Sequence, residues 1–318
     1  MRYRFGIIGA GFISNRFTTV LKQNANAEIV AVTDVVLERA QDFAAKHEIP
    51  AACTAEEFWK QDMDIVYIGL PNPAHVPTAK EALSHGLHVL CEKPMAMTEK
   101  EALDLIDTAK QANRLLMEGM WTRCLPVYQK IQQWIRDGKI GSARLLHSSF
   151  SGAVAFDPNS RLYKKELGGG SMFDIGVYSI EFATGLLGKP KEICGQAHVG
   201  STGVDEQAVI SLMFEDGAIA YSSCGFEAQT SPDAWIYGTK GSILVKDFYK
   251  SNLCVLYDSE GNEIERFEDF FEDGFQYEIE HVMDLLESGK TESEIVPWED
   301  TILSAQIYDY LRKQWKTL

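Results

Sequence analysis

Three side chains in this 318-residue sequence are the best suited to proton chemistry: Lys93, in the run Glu92-Lys93-Pro94, and the pair Asp174 and Tyr178. A lysine held at the end of a strand can hydrogen-bond a hydroxyl and favour the ionised form of a neighbouring acid–base group. Asp174 and Tyr178 are four residues apart, so on a helix they share a face. A free tyrosine titrates near pH ~10 and becomes a useful base near neutrality only beside a positive charge, which Lys93 can supply. In that arrangement Asp174 orients the lysine or the substrate rather than taking the proton. A bland reading competes: Ser171-x-x-Asp174 is also the pattern of a capping box, with Tyr178 as core. The run Gly168-Gly169-Gly170 just before it would let another backbone or a ligand approach closely.

A second group of residues has the chemistry of anion binding. Gly9-Ala10-Gly11-Phe12-Ile13-Ser14 follows an apolar, strand-like run (Arg4 to Ile8) and opens a helical pattern. In that context the first glycine permits a tight turn and the second lets backbone approach a pyrophosphate, which the helix N-terminus holds. Ser14 stands where a third Gly or Ala is usual. Asp34 ends the next strand, 20 residues after Ser14, where an acid binds ribose hydroxyls and repels a 2′-phosphate. NAD is therefore the expected cofactor. Arg39, a turn further on, keeps NADP open, and a cap for the following helix is the structural alternative for Asp34.

These residues need elements to position them. Up to about residue 120, strand and helix patterns alternate: EIVAVT at 28–33, the apolar run DIVYIGL at 64–70, a helix opened by Asn72 as cap with Pro73 at its first position, a strand at 88–91, and a capping box at Thr98-x-x-Glu101. That rhythm predicts a doubly wound parallel sheet over 1–120. Beyond it come a helix at 126–136, a strand from Ala143, a helix from about Ser171 to Leu187, and β-rich segments from Lys191 to Phe267 that read as an antiparallel meander. Two helices finish the chain. The class is α/β: a nucleotide-binding domain (1–120), then an α+β domain on an open, mainly antiparallel sheet (121–318). One face of that sheet has no obvious helix to cover it, which predicts a homodimer through facing sheets.

Composition narrows the partners. Hydrophobic residues make up 45% and charged residues 24%, with a net charge of −16. Such an acidic surface repels nucleic acid and anionic membrane and favours a small-molecule substrate. Six scattered cysteines without a C-x-x-C pair predict reduced thiols and a cytoplasmic setting. No stretch approaches the ~18 apolar residues of a membrane span. His85-x-x-His88 and Glu278-x-x-His281 lack partner ligands at metal-site spacing, so no metal is expected.

Taken together, GAGFIS at 9–14, LPNPAH at 70–75, CEKP at 91–94, GGGSMFDIGVY at 168–178 and GFQYEIEHV at 274–282 resemble the glucose–fructose oxidoreductase / inositol dehydrogenase (Gfo/Idh/MocA) family along the whole chain. Tyr178, where many members have His, and EGMWTR at 118–123 resemble its dimeric dihydrodiol dehydrogenase-like branch. The resemblance implies an N-terminal Rossmann domain and hydride transfer between NAD(P) and a secondary hydroxyl or carbonyl of a sugar, cyclitol or cyclic diol. It makes Lys93 the active-site lysine and Asp174 the supporting acid. Gly9, Gly11, Phe12 and Ile13 would meet the cofactor, as would Pro71, Asn72 and His75 of the second motif, and Glu92 and Lys93 of the third. Trp121, Arg123, Phe156, Arg161 and Tyr163 are candidates for the substrate wall. That branch uses NADP, and Asp34 departs from its usual basic residues. Two other functions remain open: a non-catalytic dinucleotide sensor, and a variant using bound NAD transiently in hydrolysis or elimination.

Overall fold

The computed structural model describes residues 2–317. Two compact units divide the chain: Met1–Met120 with Phe275–Thr301, and Trp121–Gly274 with Ile302–Leu318. The single boundary expected between 120 and 121 needs correcting for the segment 275–301, which returns to the first unit. Its apolar face explains the return. The Phe275 ring meets Phe17 edge-on at 5.6 Å, Phe17 stacks on Tyr67 at 3.7 Å, and the Trp298 indole donates to the Leu116 carbonyl at 2.9 Å. Pairings this far apart in sequence leave no local signal.

The first unit is a six-stranded parallel sheet, with β1 (Tyr3–Ile8), β2 (Ala27–Thr33), β3 (Ala51–Cys53), β4 (Ile65–Ile68), β5 (His88–Glu92) and β6 (Leu116–Gly119) in the order β3-β2-β1-β4-β5-β6. Helices α1 (Phe12–Leu21), α2 (Leu37–His47), α3 (Ala55–Phe58), α4 (His75–Ser84) and α5 (Glu99–Ala112) connect them. All four residues of β4 are buried, as expected of a parallel strand covered on both faces. The order reverses direction at β1 and β4, which is the switch point where such sheets bind ligands beyond their carboxyl ends. Two local expectations need correction. Asn72 does not stand at the cap of α4: Asn72–Ala74 form a 3₁₀ turn preceded by Pro71, and α4 starts at His75. At α5, Thr98 does cap, but the Glu101 carboxylate turns to the Met97 amide (3.0 Å), completing only half the box.

The second unit holds α6 (Trp121–Cys124), α7 (Pro126–Arg136), β7 (Ala143–Ser151), a π-helical turn at Met172–Gly176 and α8 (Val177–Leu187). Seven more strands follow: β8 (Pro190–Val199), β9 (Asp205–Phe214), β10 (Ile219–Gly225), β11 (Ala234–Gly238), β12 (Gly241–Lys246), β13 (Leu253–Asp258) and β14 (Glu263–Glu268). With Phe275–Glu287 as α9, the last helix is α10 (Trp298–Trp315). The eight strands run β14-β13-β12-β11-β7-β10-β9-β8, mainly antiparallel. The meander read from the sequence is interrupted. β7 inserts between β10 and β11 and pairs parallel to β10, antiparallel to β11.

Strand alternation gives the sheet two faces. On β9 and β10, Ala208, Ile210, Leu212, Ala220 and Cys224 are buried, on the side where α8 packs. The opposite face exposes Val209 (51%), Tyr221 and Tyr237 (40% each). Here Tyr221 stacks on His147 at 4.6 Å and Trp235 on Tyr237 at 5.5 Å. Among the described residues, no helix is long and apolar enough to cross a membrane.

Candidate functional site

The glycine turn has the shape its sequence predicts. Gly9 has φ +96°, and a Cβ there would lie 2.7 Å from the Gly69 carbonyl. Gly11 caps α1, and a Cβ built on it meets nothing within 4 Å. Open space at a helix N-terminus with no acidic residue in its first turn fits a phosphate. Ser14 is fully buried, and its Oγ presses on the spot a Cβ on Gly69 would occupy. The close approach usually given by a third glycine is thus shared between a small Ser14 and Gly69 opposite it. Asp34 links the turn to the next element: Oδ2 accepts from the Ala10 amide (2.9 Å) and Oδ1 from the Val36 amide (3.0 Å). Each oxygen keeps a lone pair for a further donor. Phe12 is 78% exposed, while Ile13 is half-buried and Arg39 exposed.

Lys93 follows β5 directly and is half-buried, ahead of a cis Lys93–Pro94 bond. Glu92 beneath it is buried and accepts from the Tyr67 hydroxyl at 2.7 Å. Burial pushes the Glu92 carboxyl up, against the Tyr67 hydrogen bond and the Lys93 charge. Glu118 supports the same loop, accepting from the Met95 amide (2.8 Å) and the Thr301 hydroxyl (2.6 Å). His75 is 1% exposed, with Nδ1 2.8 Å from the Pro94 carbonyl and Nε2 2.8 Å from the Leu70 carbonyl. Burial lowers its pKa, so the neutral ring donates to one of the two. Its nitrogens face the two loops themselves. Pro71 is exposed and Asn72 half-buried on the first of these loops.

In the second unit, Asp174 sits in the π turn and Tyr178 in the first turn of α8, both half-buried. Single π turns within helices are frequent at functional sites. The Arg161 guanidinium donates to Asp174 Oδ1 at 2.8 Å. Tyr178 packs beside Phe150 (6.0 Å) and Tyr249 (5.6 Å), which stack on each other at 4.1 Å. The capping box Ser171-x-x-Asp174 does not form. Ser171 is in the helical region with no side-chain cap, and its hydroxyl donates to Asp205 (2.8 Å). Phe150, Tyr249 and Asp205 escaped the sequence reading, because each comes from a strand or turn distant from the GGGSMFDIGVY run.

The expected substrate-wall residues separate into two groups. Phe156 (54% exposed) and Arg161 lie on the loop before the glycine run. Trp121, Arg123 and Tyr163 are buried. The Arg123 guanidinium lies 3.6 Å from the Glu181 carboxylate, with side chains 3% and 1% exposed, and the Tyr163 hydroxyl donates to the Val154 carbonyl at 3.1 Å. Of the histidines in the two candidate metal spacings, His88 Nδ1 accepts from the Leu115 amide (2.8 Å), His85 stacks on Trp59, and His281 meets Ser293. His198, Glu206 and Glu227 bring ligand-type atoms within 4.8 Å of one another at the sheet edge, two of the three being exposed.

Residues 3–120 match the model of an oxidoreductase family with an NAD-binding Rossmann fold, and residues 128–244 match the Gfo/Idh/MocA C-terminal domain. A trans-1,2-dihydrobenzene-1,2-diol dehydrogenase of Xenopus laevis is 33% identical over 99% of this chain and 98% of its own. The chain belongs to the Gfo/Idh/MocA family. A Danio rerio enzyme of the same name is 32% identical over 99% of this chain and 97% of its own. Among solved structures, a 3-ketoreductase from Actinomadura kijaniata in complex with NADP and TDP-benzene superposes with a TM-score of 0.89 at 24% identity, covering 98% of each chain. An aldose–aldose oxidoreductase from Caulobacter crescentus gives 0.90 at 23% identity, covering 99% of this chain and 98% of its own. At those identities the structural likeness fixes the Gfo/Idh/MocA fold in both units.

Proposed function

We propose that this Gfo/Idh/MocA protein transfers a hydride between NAD and a secondary hydroxyl of a cyclic diol or sugar, with Tyr178 as the proton carrier. The observation that carries the reading is the placement of Asp174 in the π turn and Tyr178 in the helical turn that follows it, with the Tyr178 ring held by Phe150 and Tyr249. Full-length similarity to dihydrodiol dehydrogenases supports a diol as the substrate class. A bound nicotinamide supplies the hydride donor or acceptor. Tyr178 Oη exchanges the proton with the substrate oxygen, Asp174 orients the reacting hydroxyl, and Lys93 donates a hydrogen bond to it. Gly11 and the N-terminus of α1 are assigned to the pyrophosphate, and Asp34 to the ribose. The test is purified protein with a panel of cyclic diols and sugars, followed at the nicotinamide absorbance. Turnover supports the reading; cofactor binding without turnover of any compound would favour a sensor.

Cofactor preference rests on Asp34. A ribose 2′-hydroxyl can donate to its carboxylate, whereas a 2′-phosphate meets like charge and leaves the acceptor unserved, at about 1–3 kcal/mol. Fluorescence titration should show NAD binding at least ~5-fold tighter than NADP. Equal or tighter NADP binding would overturn the assignment and give Arg39 the phosphate.

Assembly rests on the uncovered sheet face. Cross-strand partners Trp235, His147 and Tyr221 form an aromatic row there, continued by Ser211 and Cys194. Leaving such a row wet is costly, and a second copy meeting it across a two-fold axis is the economical cover. Light scattering at micromolar concentration should give a dimer mass, and a monomer mass would reject the interface. All six cysteines are free, and Cys194 is exposed, which supports a reducing, cytoplasmic setting.

A further inference from the structure

The helix that carries Asp174 and Tyr178 begins without a cap of its own. The first amides of any helix have no partner within it, and Ser171, at the capping position, is helical and makes no side-chain cap. A carboxylate arrives instead from the sheet. Asp205, the first residue of β9, is 4% exposed, and its Oδ2 accepts from both the Met172 amide (2.7 Å) and the Ser171 hydroxyl (2.8 Å). Negative charge at a helix N-terminus is favourable, and hydrogen bonds to an ionised acceptor are the stronger kind.

The surroundings are shaped around this carboxylate. Gly170 has φ +117°, and a Cβ on it would press into Asp205 Oδ1. The last glycine of the run therefore leaves room for a side chain from β9. Cys224 closes the other side: its Sγ lies 3.5 Å from Ser171 Oγ, and a Cβ on Gly176 would approach it to 2.9 Å. Burial raises Asp205 to about 6, against the Met172 and Ser171 hydrogen bonds and the positive charge of Arg312 on α10. Arg312 also lies over the Phe173 ring at 5.5 Å, and Tyr308 meets that ring edge-on at 5.3 Å. The π turn is thus held from β9, β10 and α10, none of which supplies Asp174 or Tyr178.

We propose that Asp205 is a positioning residue for the reaction: by capping the π turn from the sheet, it fixes where Asp174 and Tyr178 present their oxygens. This rests on the roles given above to those two side chains. Small displacements of such groups are costly in rate, on the order of 10²-fold for 1 Å. Asp205→Ala should lower kcat by about 10–100-fold while leaving KM for the cofactor within about 2-fold. Asp205→Asn keeps a carbonyl oxygen where Oδ2 stands and should recover kcat to within about 5-fold of the parent. Ser171→Ala removes one of the two hydrogen bonds without touching β9, and should cost a few-fold in kcat by the same route.

Hydrogen exchange of the unliganded protein, read on peptides spanning 170–178, supplies a measure that needs no substrate. Protection there should fall in Asp205→Ala and Ser171→Ala and persist in Asp205→Asn. The proposal is overturned by unchanged protection in Ser171→Ala and Asp205→Ala, by Ala and Asn variants equally impaired, or by cofactor KM rising in step with the loss of kcat. If Asp205→Ala does not fold, Ser171→Ala and Asp205→Asn decide by the same criteria. A parent inactive on every diol and sugar would overturn the reaction reading and the positioning role with it, while lost protection in the variants would still establish the cap.

Discussion

Tyr178→Phe is expected to depress turnover by about 10²–10⁴, the usual worth of general acid–base catalysis, or about 3–5 kcal/mol of activation free energy. The substitution removes one oxygen and keeps the ring. Packing against Phe150 and Tyr249 therefore survives, and the melting temperature should barely move. The substitution removes no group assigned to the dinucleotide, so cofactor affinity should stay within about 2-fold. Steady-state kinetics with a fluorescence titration of NAD separates the two effects. Near-normal turnover would return Tyr178 to the role of a packed aromatic. His75 is a poor substitute as proton carrier, because its nitrogens face the Pro94 and Leu70 carbonyls.

Arg123→Met should act on stability, by about 3–5 kcal/mol, the range for breaking a buried ion pair from one side. The lost charge leaves the Glu181 carboxylate facing a thioether inside the second unit. Ser304, which also hydrogen-bonds Glu181, does not replace the charge. The fit around the guanidinium is close: a Cβ on Gly185 would sit 2.5 Å from its atoms, and the Tyr128 ring lies 5.7 Å away. Urea denaturation checks the size of the loss. Pairing the change with Glu181→Leu should recover most of it, since an apolar pair of similar volume often matches a buried ion pair. A raised substrate KM with unchanged denaturation would instead make Arg123 part of the substrate wall, as its sequence context suggested.

The residues legible from sequence were those whose placement is written in local backbone. Gly9 and Gly11 declare themselves because one needs a left-handed φ and the other free space, and both needs show as glycine between a strand and a helix. The buried run of β4 and the helix α7 were equally plain, one from continuous apolar residues and the other from Pro126 at its start and Asp137-Gly138 at its end. Asp205 was invisible for the opposite reason. Its partners are 33 and 34 residues away, and its sequence setting, Thr-Gly-Val-Asp-Glu, is that of an ordinary turn. The burial of Arg123 was illegible because a buried and an exposed arginine have the same local sequence; its ion pair partner Glu181 stands 58 positions on. The insertion of β7 beside β10 failed for a third reason: alternation assigns faces to a strand but does not name its neighbours.

The packing of Ser14 against Gly69 also constrains how this turn can change over generations. A side chain added at Gly69 alone collides with Ser14 Oγ and with the Tyr67 ring, whereas loss of the Ser14 hydroxymethyl first would relieve the nearer of those clashes. The order of events therefore matters. A larger residue at 69 is accommodated more readily once the hydroxyl at 14 has gone, through alanine or glycine there, than before it. The two positions are sterically coupled, although 55 residues separate them in the chain.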